Sequence, residues 1–142
     1  MSLGRNIAFG LYFLTMLISV IFAALYLFRG GYMPYHAEAV ATPWSKLDRK
    51  FQALFIAFLR VAGGGWLSSA MSIGFLLFIP FRRGELWANW ALLAVGLTVS
   101  IPAVVATVGL KRKTSANPPW VMAVVAVFLV MAGFIMGLVF VK

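Results

Sequence analysis

The chain has 142 residues, is 63% hydrophobic and only 11% charged, and contains no cysteine. A water-soluble domain of this length cannot hide so much apolar surface, so composition alone points to one compact membrane domain. The missing thiols exclude quinone-linked cysteine redox chemistry and disulfide-stapled loops. The net charge of +9 comes from 12 Lys and Arg against 3 acids. These cations fall at the ends of apolar runs, where they anchor helices and meet anionic headgroups, and this reading displaces nucleic acid as a partner.

Uncharged runs cover residues 6–28, 61–81, 86–110 and 114–141, each long enough to match the ~30 Å hydrocarbon core. The expected spans are about 7–28, 58–80, 86–110 and 119–141. The first run exceeds a signal-peptide core, and the A-x-A-like Ala37-Glu38-Ala39 lies well beyond it, so the helix is expected to stay. Tyr26, Tyr32 and Tyr35 mark its headgroup boundary, and Arg29-Gly30-Gly31 stops it. Residues 29–44 form the longest connection, expected as a structured loop.

Thr42-Pro43 and Ser45-x-x-Asp48 both signal the start of the second helix. Leu47, Phe51, Leu54, Phe55 and Phe58 recur at three- and four-residue steps against Lys46, Arg49, Lys50 and Arg60, an amphipathic extension over 45–60. It is either a helix in the interface plane or the outer end of a long span. Breaking at Gly63-Gly64-Gly65 leaves too few residues to cross, so a continuous helix from about Lys46 to Ile79 is favoured.

Pro80 and Arg82-Arg83-Gly84-Glu85 end that helix in a short turn, which makes the second and third helices antiparallel neighbours. Pro102 removes one backbone donor inside the third helix and predicts a kink. Lys111-Arg112-Lys113 closes it, and Asn117 as cap before Pro118-Pro119 opens the fourth helix. Seven basic residues on the face of Arg29 and Lys111 against four on that of Arg5 and Arg82 favour both termini outside, although the tight loop of Arg82 and Arg83 opposes this. The fold class is thus an all-α, integral membrane four-helix up-down bundle with a long structured first loop.

Arg60 is the residue most suggestive of a site. Ala53, Ala57, Arg60, Gly64 and Ser68 share one helical side, a small-residue stripe of the kind that lets helices approach closely. Arg60 is then turned into the bundle and needs a partner, with Glu38 the best protein candidate. Two readings stand: a boundary anchor held by headgroups or Glu38, or the receptor of an anionic group in a crevice under the first loop. His36 is the only histidine, which excludes bis-histidine haem within one chain, and with Glu38 alone it falls short of a metal site. The spans contain no carboxylate, which argues against a proton-coupled exporter. Gly133-x-x-x-Gly137 is a packing signal that serves either a sister helix or a homodimer. Thr15, Ser19, Ser68, Ser69 and Ser72 offer hydrogen bonds between helices.

Met33-Pro34-Tyr35-His36, Trp44, Leu47, Gln52, Arg60-x-x-Gly63-Gly64 and Arg82-x-Gly84-Glu85-x-Trp87-Ala88 resemble uncharacterised bacterial four-helix membrane proteins, broadly DoxX-like, over roughly residues 30–90. The resemblance implies a small helical bundle in a bacterial inner membrane, adds weight to His36, Gln52 and Arg60 as one cluster, and supplies no agreed chemistry. The residues point to a non-catalytic protein, with no cofactor, that holds a lipid- or quinone-like amphiphile at His36, Glu38, Gln52, Arg60, Gly64 and Ser68. Alternatives are a subunit of a larger membrane complex and a small oligomeric transporter or flippase; an enzyme ranks last.

Overall fold

The computed structural model describes residues 2–139; the expected end of the last span at 141, with Lys142, lies outside them. The described chain is helical, without strands. Helix α1 is Leu3–Phe28, α2 Pro34–Val40, α3 Arg49–Leu76, α4 Leu86–Lys113 and α5 Trp120–Val139, and a π-helical turn, Leu77–Phe81, prolongs α3. The segments Leu3–Phe28, Arg49–Phe81, Leu86–Lys113 and Trp120–Val139 are long and apolar enough to cross a membrane, so the chain is of multi-pass membrane type. Large apolar side chains stay exposed around them, among them Leu14, Phe75, Trp90 and Phe128. That surface suits lipid rather than water.

The packing faces are built from small and polar residues. On α1 the buried positions are Gly4, Ala8, Tyr12, Thr15, Ser19 and Ala23, and on α5 Ala123, Ala126, Val130, Gly133 and Gly137. In lipid no hydrophobic force drives helices together, so close approach over small residues supplies the contact. Helix α1 packs on α3 and α5, and α4 packs on α5 and less extensively on α3. Val130 fills the space left by Gly96, where an added Cβ would lie 2.6 Å from its methyl carbon.

Gly133 lies against the Tyr12 ring and Gly137 against the Asn89 amide. Both glycines therefore serve contacts within the chain. Tyr12 Oη donates to Asn89 Oδ1 at 2.9 Å, and Asn89 Nδ2 donates to the Phe134 carbonyl at 3.1 Å. This knot ties α1, α4 and α5 together at buried Asn89. The hydroxyls of Thr15, Ser19, Ser69 and Ser72 behave otherwise than expected: each donates to the carbonyl four residues back in its own helix. A hydroxyl near its own backbone finds that acceptor without any neighbouring helix.

Several helix boundaries differ from the sequence reading. Asp48 itself caps α3, accepting the Lys50 N–H at 2.8 Å, while Trp44–Lys46 forms a separate 3-10 turn. The helix passes through Gly63-Gly64-Gly65 unbroken, as expected. Pro80 does not stop it. The wide π turn absorbs the missing N–H, and the helix ends at Gly84, where φ is +84°. There Glu85 N–H donates to the Pro80 carbonyl at 3.1 Å and Gly84 N–H to that of Phe81 at 3.0 Å, a Schellman closure. Helix α4 is continuous through Pro102. Asn117 precedes α5 by three residues and gives its N–H to Glu38 Oε2 at 3.1 Å.

Candidate functional site

The first connection folds because its aromatic residues have a helix to pack on. Tyr32 lies edge-on to Trp44 and Phe55, with centroids 4.8 and 5.3 Å away, and His36 lies 5.2 Å from Phe55. Gln52 Nε2 donates to the Trp44 carbonyl at 2.7 Å, and Tyr32 Oη to that of Thr42 at 2.5 Å. Helix α2 is thereby fastened to the first turns of α3. The Met33 N–H donates to His36 Nδ1 at 3.1 Å, one of the otherwise orphaned donors at a helix start. Accepting that proton requires neutral Nδ1, so the imidazole proton sits on Nε2.

Below α2 a cavity of about 500 Å³ opens between α1, α3, α4 and α5, within the usual range for small-ligand sites. Its walls are mostly apolar. Phe22 and Trp66 stack on one side with centroids 5.1 Å apart, and Pro102, Ala103, Ala106 and Met122 contribute from the other. The wall hydroxyls of Thr98, Ser100 and Thr107 all donate within α4. Polarity concentrates at the α2 end, where His36 lines the cavity and the Tyr26 and Tyr35 hydroxyls lie 3.1 Å apart.

The Tyr35 and His36 side chains at that end are uncharged at neutral pH. Burial, reinforced by the Tyr26 hydroxyl, pushes the Tyr35 phenol well above its ordinary range. Burial first, and the Arg29 charge second, hold His36 below its ordinary value. The site thus offers neutral hydrogen-bond donors at the head of an apolar slot.

The six residues singled out in the sequence do not form one crevice. His36 alone lines the cavity. Gln52 holds the Trp44 carbonyl and is not part of the cavity lining. Arg60 Nη1 donates to the Tyr26 carbonyl at 3.1 Å, so the guanidinium closes an open carbonyl in the last turn of α1, where a cation is also favoured by the helix dipole. Its partner is not Glu38, whose carboxylate takes Asn117 N–H. Gly64 and Ser68 are exposed, and a Cβ on Gly64 would meet open space. The buried glycine is Gly63, where a Cβ would sit 2.9 Å from the Leu27 nitrogen. A one-residue error of register separates the expected stripe from the actual seam.

Sequence reasoning passed over Trp66, the Tyr26–Tyr35 pair and the α4 wall. One signal for the wall was present: Thr98, Pro102, Ala103, Ala106 and Thr107 put small residues along one side of the third span. Among the described residues no three His, Cys, Asp or Glu side chains come together. No family model, curated protein or solved structure was found to match this chain.

Proposed function

We propose that this protein is a non-catalytic membrane protein that holds an amphiphile, with its apolar part in the cavity and its polar part at Tyr26, Tyr35 and His36. In this reading the four long helices cross the bilayer in up-down order. The adjacency of Gly84 to the Arg5 guanidinium and of Gly137 to Asn89 supports that order, since it groups the start of α1 and the end of α5 with the α3–α4 turn. The DoxX-like resemblance adds the reading that this membrane is a bacterial inner membrane. The observation that carries the functional reading is the polarity of the cavity, apolar along its walls and lined at one end by uncharged donors. A lipid or quinone meets both demands. A small soluble metabolite lacks the apolar portion that such walls favour.

The glycines of α3 supply the test. Gly65 lines the cavity and has no atom near its Cβ position, whereas Gly64 has the same open space but is not part of the wall. Binding of a brominated diacyl phospholipid, counted by native mass spectrometry, should be lost in Gly65→Leu and kept in Gly64→Leu. Equal retention by both variants and the parent would overturn the proposal.

A further inference from the structure

We infer that the groove on the outer side of α2 is the headgroup site for a zwitterionic phospholipid whose acyl part fills the cavity. This rests on the amphiphile reading above and adds the class of head. The groove, about 640 Å³, carries Glu38 and Lys111 in its lining. It shares Tyr35, Pro119 and Met122 with the cavity, so the two spaces adjoin at Tyr35, and the proposed lipid reaches from one into the other there.

Polarity along that path changes in the order found along a phospholipid. The cavity walls are apolar, the donors at Tyr26, Tyr35 and His36 are neutral and suit ester carbonyls, and the groove then presents one cation and one anion. The two charges are not engaged with each other. Lys111 Nζ stands over the Trp120 ring, 4.5 Å from its centroid, and Glu38 Oε2 accepts the Asn117 backbone N–H at 3.1 Å. Each keeps capacity for an outside partner. Lysine is a point-charge partner for phosphate, and a carboxylate accepts from an ammonium group. Trp120 lies beside them, as an aromatic at headgroup depth does. An uncharged head would leave both charges unanswered, and a purely anionic head would meet Glu38.

The test is a native mass spectrometry titration of the full chain with phosphatidylethanolamine, phosphatidylglycerol and diacylglycerol of identical acyl chains. Phosphatidylethanolamine should bind about tenfold more tightly than diacylglycerol, the scale of one charge-assisted hydrogen bond. Lys111→Met should erase that margin and Lys111→Arg restore it. Glu38→Gln, which keeps an acceptor for Asn117, should turn the preference toward phosphatidylglycerol. Equal binding of all three lipids, with Gly65→Leu still abolishing it, would overturn the headgroup site and leave the cavity reading intact. Failure of every lipid to bind would remove the headgroup site and, with it, the lipid form of the amphiphile reading.

Discussion

The Arg60 guanidinium donates to the backbone carbonyl of Tyr26 across the α1–α3 contact at 3.1 Å. An arginine near the end of a membrane span suggests a receptor for an anion, yet this one satisfies an open helix-end carbonyl instead. Arg60→Met should therefore lower stability by about 1 kcal/mol, the usual scale of one such bond, while leaving amphiphile binding within about twofold. Denaturation in micelles and native mass spectrometry would separate the two effects. Loss of binding without loss of stability would return Arg60 to the site.

Acid should loosen α2. His36 accepts the Met33 N–H on Nδ1, and its pKa lies below the ordinary 6.5. Protonation puts a second donor opposite that N–H. The unfolded chain takes up the proton at higher pH than the folded one, so the contribution is complete above the unfolded value and is lost as pH falls through the folded one. Thermal midpoints should be flat above neutrality and fall on acidification, with faster hydrogen exchange at Met33. His36→Phe should flatten the acid limb assigned to this group.

Gly63 and Gly64 should respond oppositely to alanine. A Cβ at Gly63 would lie 2.9 Å from the Leu27 nitrogen, which forces α1 away from α3 and should cost about 2 kcal/mol. Gly64 faces open space, and alanine there should gain about 0.5–1 kcal/mol from helix propensity. Paired unfolding curves in one detergent would show the split.

Ala41 closes α2 with φ at +50°, the left-handed region. Its N–H donates to the Glu38 carbonyl and that of Thr42 to Ala37, both at 3.3 Å, a closure that glycine forms without strain. Ala41→Gly should stabilise the first connection by about 1 kcal/mol. Slower proteolysis between α1 and α3 would register the gain.

Tyr12→Phe removes the donor to Asn89 Oδ1 while keeping the ring against Gly133. The expected loss is about 1 kcal/mol, typical of polar contacts between membrane helices. Asn89→Leu should be worse, because Gly137 leaves room only for the flat amide, with a Cβ there already 2.5 Å from Oδ1. Thermal denaturation of both variants in one detergent would rank them.

Hydropathy and length made the four long helices and the unbroken α3 legible, since crossing ~30 Å of hydrocarbon imposes a segment length that needs no knowledge of neighbours. The helix-stopping role expected for Pro80 was not borne out, because a π turn accommodates a missing N–H that local rules treat as terminal. The site was legible only in part. His36 stood out as a lone titratable group, but Tyr26 read as an ordinary boundary aromatic, and nothing in the sequence set Trp66 apart from the other apolar residues of its span.

By itself the sequence determined that the chain is helical and suited to lipid, that its cations lie at segment ends, and that Gly133 and Gly137 serve close packing. These follow from residue type and spacing along one helix. Tertiary structure alone decided which side of each helix faces inward. In a membrane both sides are apolar, so periodicity is faint, and the choice between Gly63 and Gly64 rests on a neighbouring backbone. That choice sends Arg60 to Tyr26 and leaves the cavity head to Tyr26, Tyr35 and His36.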